Sequence, residues 1–323
     1  MAGTGNASAI FTMIGISELG DDQIFLAFPL FVLYAIALLG NTTILLVIKR
    51  EESLQEPMYI LLSMLSFTDI SVSLTTLPTV LGIFWFNHNQ IYLESCLTQM
   101  YFLHTFAAME SGVLVAMAVD RLIAICDPLR YSTILTNSVI AKVGLVIAIR
   151  GLCIVFPIPF LTRRFTFCKS LFLSHSYCLH QDVIRLACAD TRVNSFYGLI
   201  AVLLTKGMDS MFIIISYGMI LRTVLGIKAN DPRVKAFSTC VCHICAVLLF
   251  YIPLIGLSVV HRFGKHASPL LPVLMADVYL LVPPVINPVI YSIKTKQIRQ
   301  KILKVFGDRK IRILDNRVVT IKL

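Results

Sequence analysis

Seven long apolar runs are the feature that most limits what this chain can fold into. Each is long enough for an α-helix to cross a hydrocarbon layer, which takes about 20 residues. The 323-residue chain is also 57% hydrophobic and only 14% charged, whereas soluble domains are about 25% charged. We therefore predict an all-α membrane protein, a seven-transmembrane helix bundle. The runs are Ile24–Ile48, Met58–Phe86, Leu97–Ile125, Val139–Leu161, Phe196–Leu221, Val234–Val260 and Pro269–Ile293.

Basic residues predict the orientation of the bundle. Residues 1–23 contain no Lys or Arg, whereas residues 294–323 contain ten. Because cytoplasmic segments are rich in Lys and Arg, we expect an extracellular N-terminus (1–23), a seven-transmembrane domain (24–293) and a cytoplasmic tail (294–323). The net charge of +10 then indicates contact with membrane lipid rather than nucleic acid. Asn6 starts an Asn-Ala-Ser glycosylation acceptor in the predicted outer segment.

The nine cysteines divide into two groups by predicted side. Cys96, Cys168, Cys178 and Cys188 lie at or near the outer face, where disulfides persist. Four cysteines allow three pairings, and spacing does not choose among them. The other group includes a run with metal-ligand residue types. We favour helix packing over a zinc or copper site there, because the residues wind around one helix: Cys240, Cys242, His243 and Cys245.

Ordered motifs in the runs resemble those of rhodopsin-like G-protein-coupled receptors. They are Gly40-Asn41, Asp69, Asp120-Arg121 and the stretch from Asn287 to Tyr291. Finer stretches are similar to olfactory receptors: MAVDRLIAICDPLRY, KAFSTCVCH and PPVINPVIYSIKTKQIR. HTFAAMESGVLVAMA and LSHSYCLHQD resemble the class I, or fish-like, group. The chain departs from the family pattern at Val119 and Leu122, where aromatic residues are usual, and at Cys242, where serine is usual.

The resemblance implies a plasma-membrane receptor that has no enzymatic activity and needs no cofactor. Its partners would be a small-molecule odorant and a heterotrimeric G protein of the olfactory, cAMP-raising Gs type. It also implies two disulfides, Cys96–Cys178 and Cys168–Cys188.

Asp120 and Arg121 stand at the predicted cytoplasmic end of the third run. An unpaired arginine at that depth would cost a few kcal/mol, so we expect Arg121 to pair with Asp120. The resemblance implies that this ion pair holds the inactive state, and that Tyr217 and Tyr291 hold Arg121 in the active one. The alternative is a simple helix-end anchor.

Asp69 and Asn287 are polar residues deep in the second and seventh runs, where polar groups need partners. We predict a polar network that includes Asn41, or a sodium site at the same place. Pro288 is expected to interrupt the backbone ladder and to form a hinge in the seventh helix.

An eighth, amphipathic helix is predicted after the seventh run. Ile298, Ile302 and Phe306 share one helical face, with basic residues around the rest, which is typical of a helix lying on a membrane surface.

Polar residues in the predicted outer halves of the runs point to a ligand site. One arginine, one histidine and hydrogen-bonding side chains above apolar residues suit a small polar or carboxylic-acid-like odorant. The alternative is that Arg262 points to water. The residues are His104, Glu110, Gln181, Ser258 and Arg262.

Lys206 and Asp209 lie three residues apart in the fifth run. This spacing favours an ion pair between them; the alternative is that Lys206 faces the cavity as a second cation for the ligand. Arg150 has no evident partner in the sequence.

Two other classes of membrane protein have different sequence patterns. A transporter or channel would favour inverted repeats and charges along a continuous path, and an intramembrane enzyme would favour motifs such as HExxH or GxSxG. The sequence shows neither pattern, so a receptor is preferred.

Overall fold

The computed structural model describes residues 9–14, 23–167, 171–227, 230–263, 270–295 and 297–303. Within these ranges, the side chains of residues 23, 24, 26, 230–239, 258–263, 270, 272 and 294 are not described. The helices are α1 (Gln23–Arg50), α2 (Pro57–Phe86), α3 (Leu93–Cys126), α4 (Tyr131–Ile134), α5 (Asn137–Val155), α6 (Pro157–Arg163), α7 (His180–Arg185), α8 (Arg192–Val202), α9 (Met208–Gly226), α10 (Asn230–Phe263) and α11 (Leu270–Lys294).

Seven helical stretches are long and apolar enough to cross a membrane, which confirms the predicted bundle. The fourth stretch combines α5 and α6, and the fifth combines α8, a π-helical turn at Leu203–Gly207 and α9. The stretches are Ala27–Arg50, Pro57–Phe86, Leu93–Cys126, Asn137–Arg163, Arg192–Gly226, Cys240–Leu257 and Val273–Ile293.

Helix α3 lies at the centre of the bundle. It packs against α2, α5, α9 and α10, while α1 packs against α2 and α11. Its buried side chains, such as Leu114, join a core with Leu65 and Phe250. On the bundle surface large apolar side chains such as Leu39 and Ile214 are exposed. Helices that are apolar on every face are typical of membrane spans, because lipid covers the outward side chains.

A small sheet covers one end of the bundle and was not predicted from the sequence. Its order is β2 (Gln90–Tyr92), β1 (Ile10–Met13), β3 (Phe172–Leu173), with β1–β2 antiparallel and β1–β3 parallel. Phe11 of β1 is fully buried on the inner face of this sheet, in a core that includes Cys96. We call this side the Cys96 end of the bundle, and the opposite side the Arg121 end.

Residues 297–303 are helical, in agreement with the predicted eighth helix. Ile298 is fully buried against the bundle core, and Ile302 packs beside it. Lys301 forms an ion pair with Glu51, which follows α1. Phe306, the third residue of the predicted apolar face, lies outside the described residues. The segment is thus held by apolar burial together with one ion pair.

Candidate functional site

A disulfide joins the connection between α6 and α8 to the start of α3. Cys96 and Cys178 are bonded with their Cα atoms 5.5 Å apart, as the resemblance implied. The Cys178 amide also donates to Gln99 Oε1 at 2.9 Å, and Gln99 Nε2 donates to the Thr75 carbonyl oxygen at 2.9 Å. Cys188 is disulfide-bonded, and its predicted partner Cys168 lies outside the described residues. The loop is therefore fixed over the bundle.

A cavity of about 150 Å³ lies beneath this loop, between α3 and the helices that follow α4. Three of the predicted ligand residues, His104, Gln181 and Lys206, line it. The His104 Nε2 atom is buried and has no hydrogen-bond partner among the described residues. Most other lining side chains are aliphatic. The cavity thus presents a few polar groups in an apolar wall, as small-molecule sites do.

Other predicted ligand residues are placed differently. Glu110 is buried on α3, deeper than His104, and it interacts electrostatically with Lys206. Ser258 and Arg262 belong to helix α10, but their side chains lie outside the part of the chain that the structure describes.

His180 is a cavity residue that the sequence analysis missed. It begins α7, and its ring fits against Gly198 of α8, where an added Cβ would lie 2.8 Å from His180 Cε1. Burial lowers the pKa of His180 to about 4. The ring is therefore neutral at pH 7 and offers a ligand a hydrogen bond without a charge. Its position two residues after Cys178 could have identified it, as the same tether identified Gln181.

Lys206 faces the cavity, and the prediction that it pairs with Asp209 is wrong. Its Nζ donates to the Ala107 carbonyl oxygen at 3.1 Å and to the Tyr279 hydroxyl at 2.9 Å. It also lies 4.7 Å from the centre of the Phe250 ring. Lys206 belongs to the π-helical turn, which has more residues per turn than an α-helix, so the three-residue spacing does not place it beside Asp209.

Asp209 instead pairs with Arg150. The sequence alone indicates no partner for Arg150. Arg150 Nη1 and Nη2 each donate to one Asp209 carboxylate oxygen at 2.6 Å. This two-point geometry is the strongest form of the arginine–carboxylate contact. Asp209 is almost fully buried, with its side chain 3% exposed. The pair joins α5 to α9.

Ser111 of α3 extends this ion pair to α10. Its hydroxyl donates to Asp209 Oδ2 at 2.8 Å and lies 2.8 Å from the Tyr251 hydroxyl. Four helices therefore meet in one hydrogen-bonded cluster directly below the cavity. The sequence does not single out Ser111 or Tyr251, because their hydrogen-bond partners, Asp209 among them, lie on other helices.

At the Arg121 end, the predicted ion pair between adjacent residues is present. Arg121 Nη2 lies 2.6 Å from Asp120 Oδ2, and the Asp120 side chain is 1% exposed. Tyr131 of α4 donates its hydroxyl to Asp120 Oδ1 at 2.7 Å. Burial, followed by the Asp120 carboxylate, raises the pKa of Tyr131, so the hydroxyl stays protonated. Both oxygens of Asp120 are thus occupied.

Tyr217 lies near this pair but does not contact Arg121 through a hydrogen bond. Its hydroxyl lies 2.6 Å from His243 Nδ1, and the two rings are stacked. Cys240, one turn earlier on α10, packs against Ile220 and Val224. Tyr291 is buried, and its hydroxyl has no partner among the described residues.

Comparison with known proteins gives the family. The family model described as olfactory receptor matches residues 30–309. The chain belongs to the olfactory receptor family. Olfactory receptor 51G2 of Homo sapiens is 53% identical over 301 residues, which are 93% of this chain and 96% of that protein. Olfactory receptor 51E2 of Mus musculus is 51% identical over 92% of this chain and 93% of its own length.

The fold agrees with this assignment. A crystal structure of squid rhodopsin matches the receptor with a TM-score of 0.72 and 16% identity, over 89% of this chain and 86% of that one. The relatives fit the class I group that the motifs indicated. The receptor is a multi-pass membrane protein and not an enzyme. Family membership implies a small-molecule ligand and a heterotrimeric G protein as partners.

Inside the receptor, the predicted polar residues of α2 and α11 are in contact. Asn287 Nδ2 donates to Asp69 Oδ2 at 3.1 Å. Asn41 lies apart from that bond and donates to the Pro284 carbonyl oxygen at 2.8 Å. Pro288, four residues later, has no N–H to offer this carbonyl. Asn41 therefore replaces the hydrogen bond that Pro288 removes.

Gly40 allows this approach of α1 to α11. A Cβ at Gly40 would lie 3.0 Å from Pro288 Cβ and Cγ, which is closer than such atoms normally pack. The adjacent Gly40-Asn41 motif thus has two functions in the receptor: the glycine brings the helices together, and the asparagine supplies the missing donor.

Proposed function

We propose that the receptor binds a small carboxylic-acid-like odorant in the half of the bundle near the Cys96 end and activates a Gs-type G protein, which raises cAMP. The observation that carries this proposal is the cavity with His104 and Gln181 in its wall, beneath the last turns of the helix that contains Arg262. Arginine pairs with a carboxylate through two parallel hydrogen bonds. A cavity of this volume holds a benzene-sized molecule.

The disulfides support an orientation with the Cys96 end outside. Cys96, Cys178 and the disulfide-bonded Cys188 lie at this end, and disulfides persist in oxidising compartments. The ten basic residues after Ile293 favour the cytoplasm for the other end. Asn6, the proposed glycosylation site, precedes the described residues.

The polar core supports the sodium interpretation of the contact between α2 and α11. Asn41 Oδ1, Asp69 Oδ1 and Asn287 Oδ1 are buried and have no hydrogen-bond partner among the described residues. Carboxylate and amide oxygens suit hard cations. We therefore propose that a sodium ion binds at the Asp69–Asn287 contact, with the Asn41 oxygen as a further acceptor on the neighbouring helix.

Arg262→Ala tests the carboxylate proposal. We expect the EC50 of short carboxylic acids to rise at least about tenfold, because a charge-assisted hydrogen bond contributes about 1.5–3 kcal/mol and 1.4 kcal/mol is about tenfold in affinity. The measurement is cAMP against acid concentration in cells that contain the olfactory G protein. Arg192→Ala is the control, since Arg192 is 92% exposed. Unchanged potency for every acid would exclude the proposal.

Gly198→Ala tests whether this cavity is the ligand site. The added methyl group would displace the His180 ring, and overpacking of this kind costs about 1–3 kcal/mol. We expect the potency of the largest active acids to fall several-fold, with less effect on the smallest. Gly218→Ala is the matched control, because nothing lies within 4 Å of its added Cβ. Equal responses of the two variants to all acids would place the ligand elsewhere.

A further inference from the structure

Lys206 supplies the cavity with a hydrogen-bond donor that no described side chain uses. An ammonium group has three N–H donors, and the described hydrogen bonds of Nζ use two, to the Ala107 carbonyl oxygen and the Tyr279 hydroxyl. The Phe250 ring, 4.7 Å away, attracts the positive charge but is not an oxygen acceptor. Among the residues whose side chains are described, no carboxylate lies within ion-pair distance of Nζ. Lys206 and Tyr279 both line the cavity. The remaining donor is therefore available to a ligand.

The charges around Lys206 determine what that ligand group can be. Asp209 is neutralised by its two-point contact with Arg150. Glu110 remains as an acidic group that acts electrostatically on Lys206. Glu110 stands three residues after Ala107 on α3, one turn from the carbonyl oxygen that Lys206 contacts. A carboxylate bound beside Lys206 would therefore be buried next to a second acidic residue, which is costly at low dielectric. A neutral oxygen acceptor adds no charge.

The position of Lys206 separates it from the other polar groups of the cavity. Its acceptor on α3, Ala107, comes three residues after His104, which is about 4.5 Å along the helix axis. Gln181 is held at the Cys96 end by the tethered loop. A ligand that reaches both regions must carry polar groups at its two ends, with a short apolar chain between them.

We propose that Lys206 and Tyr279 form a second polar subsite, which binds a neutral carbonyl or hydroxyl oxygen at the far end of the odorant. The preferred ligands are then short oxo or hydroxy acids rather than plain fatty acids. This inference rests on the proposed function, since it takes the carboxylate of the odorant to bind at the other end of the cavity. The π-helical turn agrees with it, since such turns are frequent at functional sites.

The test compares pentanoic acid with levulinic acid, which has the same chain length and one added ketone. In the unmodified receptor we expect levulinic acid to be about tenfold more potent. In Lys206→Met, which keeps an unbranched side chain and removes the charge and its N–H donors, the potency ratio of the two acids should fall to about one. Surface level is measured for each variant. If Lys206→Met does not reach the surface, Tyr279→Phe replaces it and should reduce the preference for levulinic acid.

The outcomes separate this subsite from the proposed function. Equal potencies in the unmodified receptor, or a preference unchanged in Lys206→Met, would overturn the subsite even if Arg262→Ala still weakens both acids. Glutaric acid more potent than levulinic acid would overturn the assignment of a neutral acceptor. No response to any of the three acids would overturn both proposals.

Discussion

Asp209→Ala is expected to destabilise the receptor by about 3–5 kcal/mol, because it leaves the partly buried Arg150, within a membrane-spanning stretch, without its partner. The Arg150 guanidinium makes both of its 2.6 Å contacts with this carboxylate. Its only other described hydrogen bond is a long one, 3.5 Å, to the Ala108 carbonyl oxygen. The measurement is the thermal unfolding midpoint of purified receptor in detergent, together with its level at the cell surface.

A double replacement distinguishes a buried charge from lost packing. In Arg150→Met with Asp209→Leu, neither charge remains, and most of the lost stability should return. Asp190→Ala is a matched surface control, since its contact with Arg192 is 3.8 Å long and both side chains are largely exposed. A midpoint for Asp209→Ala equal to that of this control would contradict the prediction.

Replacing Arg121 and Asp120 separately should change signalling in opposite directions. We propose that Arg121, once released from Asp120, contacts the G protein, so Arg121→Met should reduce the agonist-induced cAMP response more than tenfold. Asp120→Asn should raise cAMP without agonist, because the neutral side chain no longer holds Arg121 by charge. Tyr131→Phe should have a smaller effect of the same sign, since it removes only one hydrogen bond to Asp120.

The control for these variants is a neighbouring ion pair on the surface. Arg130 lies 3.7 Å from Asp127 and is 74% exposed, so Arg130→Ala should leave both basal and stimulated cAMP unchanged. All responses are compared at equal surface level. Basal cAMP that does not change in Asp120→Asn would show that the ion pair is only a helix-end anchor.

Local sequence patterns predicted the features that neighbouring residues determine, namely the membrane spans and the contact between adjacent charged residues. Hydropathy located all seven spans, because each apolar run is long enough by itself to cross a bilayer. Adjacency predicted the contact between Asp120 and Arg121. The resemblance to a receptor family supplied the disulfide between Cys96 and Cys178, which spacing alone could not select.

The parts that were missed depend on contacts between distant segments. Arg150 and Asp209 are 59 residues apart, so no periodicity within one helix could pair them. The Lys206–Asp209 prediction used α-helical spacing and did not anticipate the π-helical turn that changes the direction of Lys206. The small sheet has strands of two to four residues from three separate regions, which is too short for a hydropathy signal.

The hydrogen bond from Asn41 to the Pro284 carbonyl oxygen limits how freely α11 can bend near Pro288. Pro288 lies inside α11 and cannot donate to the Pro284 carbonyl oxygen, and a helix that lacks this hydrogen bond is a joint where a kink can form. With Asn41 attached, a change of angle at this joint would stretch or break the hydrogen bond to α1. We therefore expect α1 and α11 to move together at this level of the bundle.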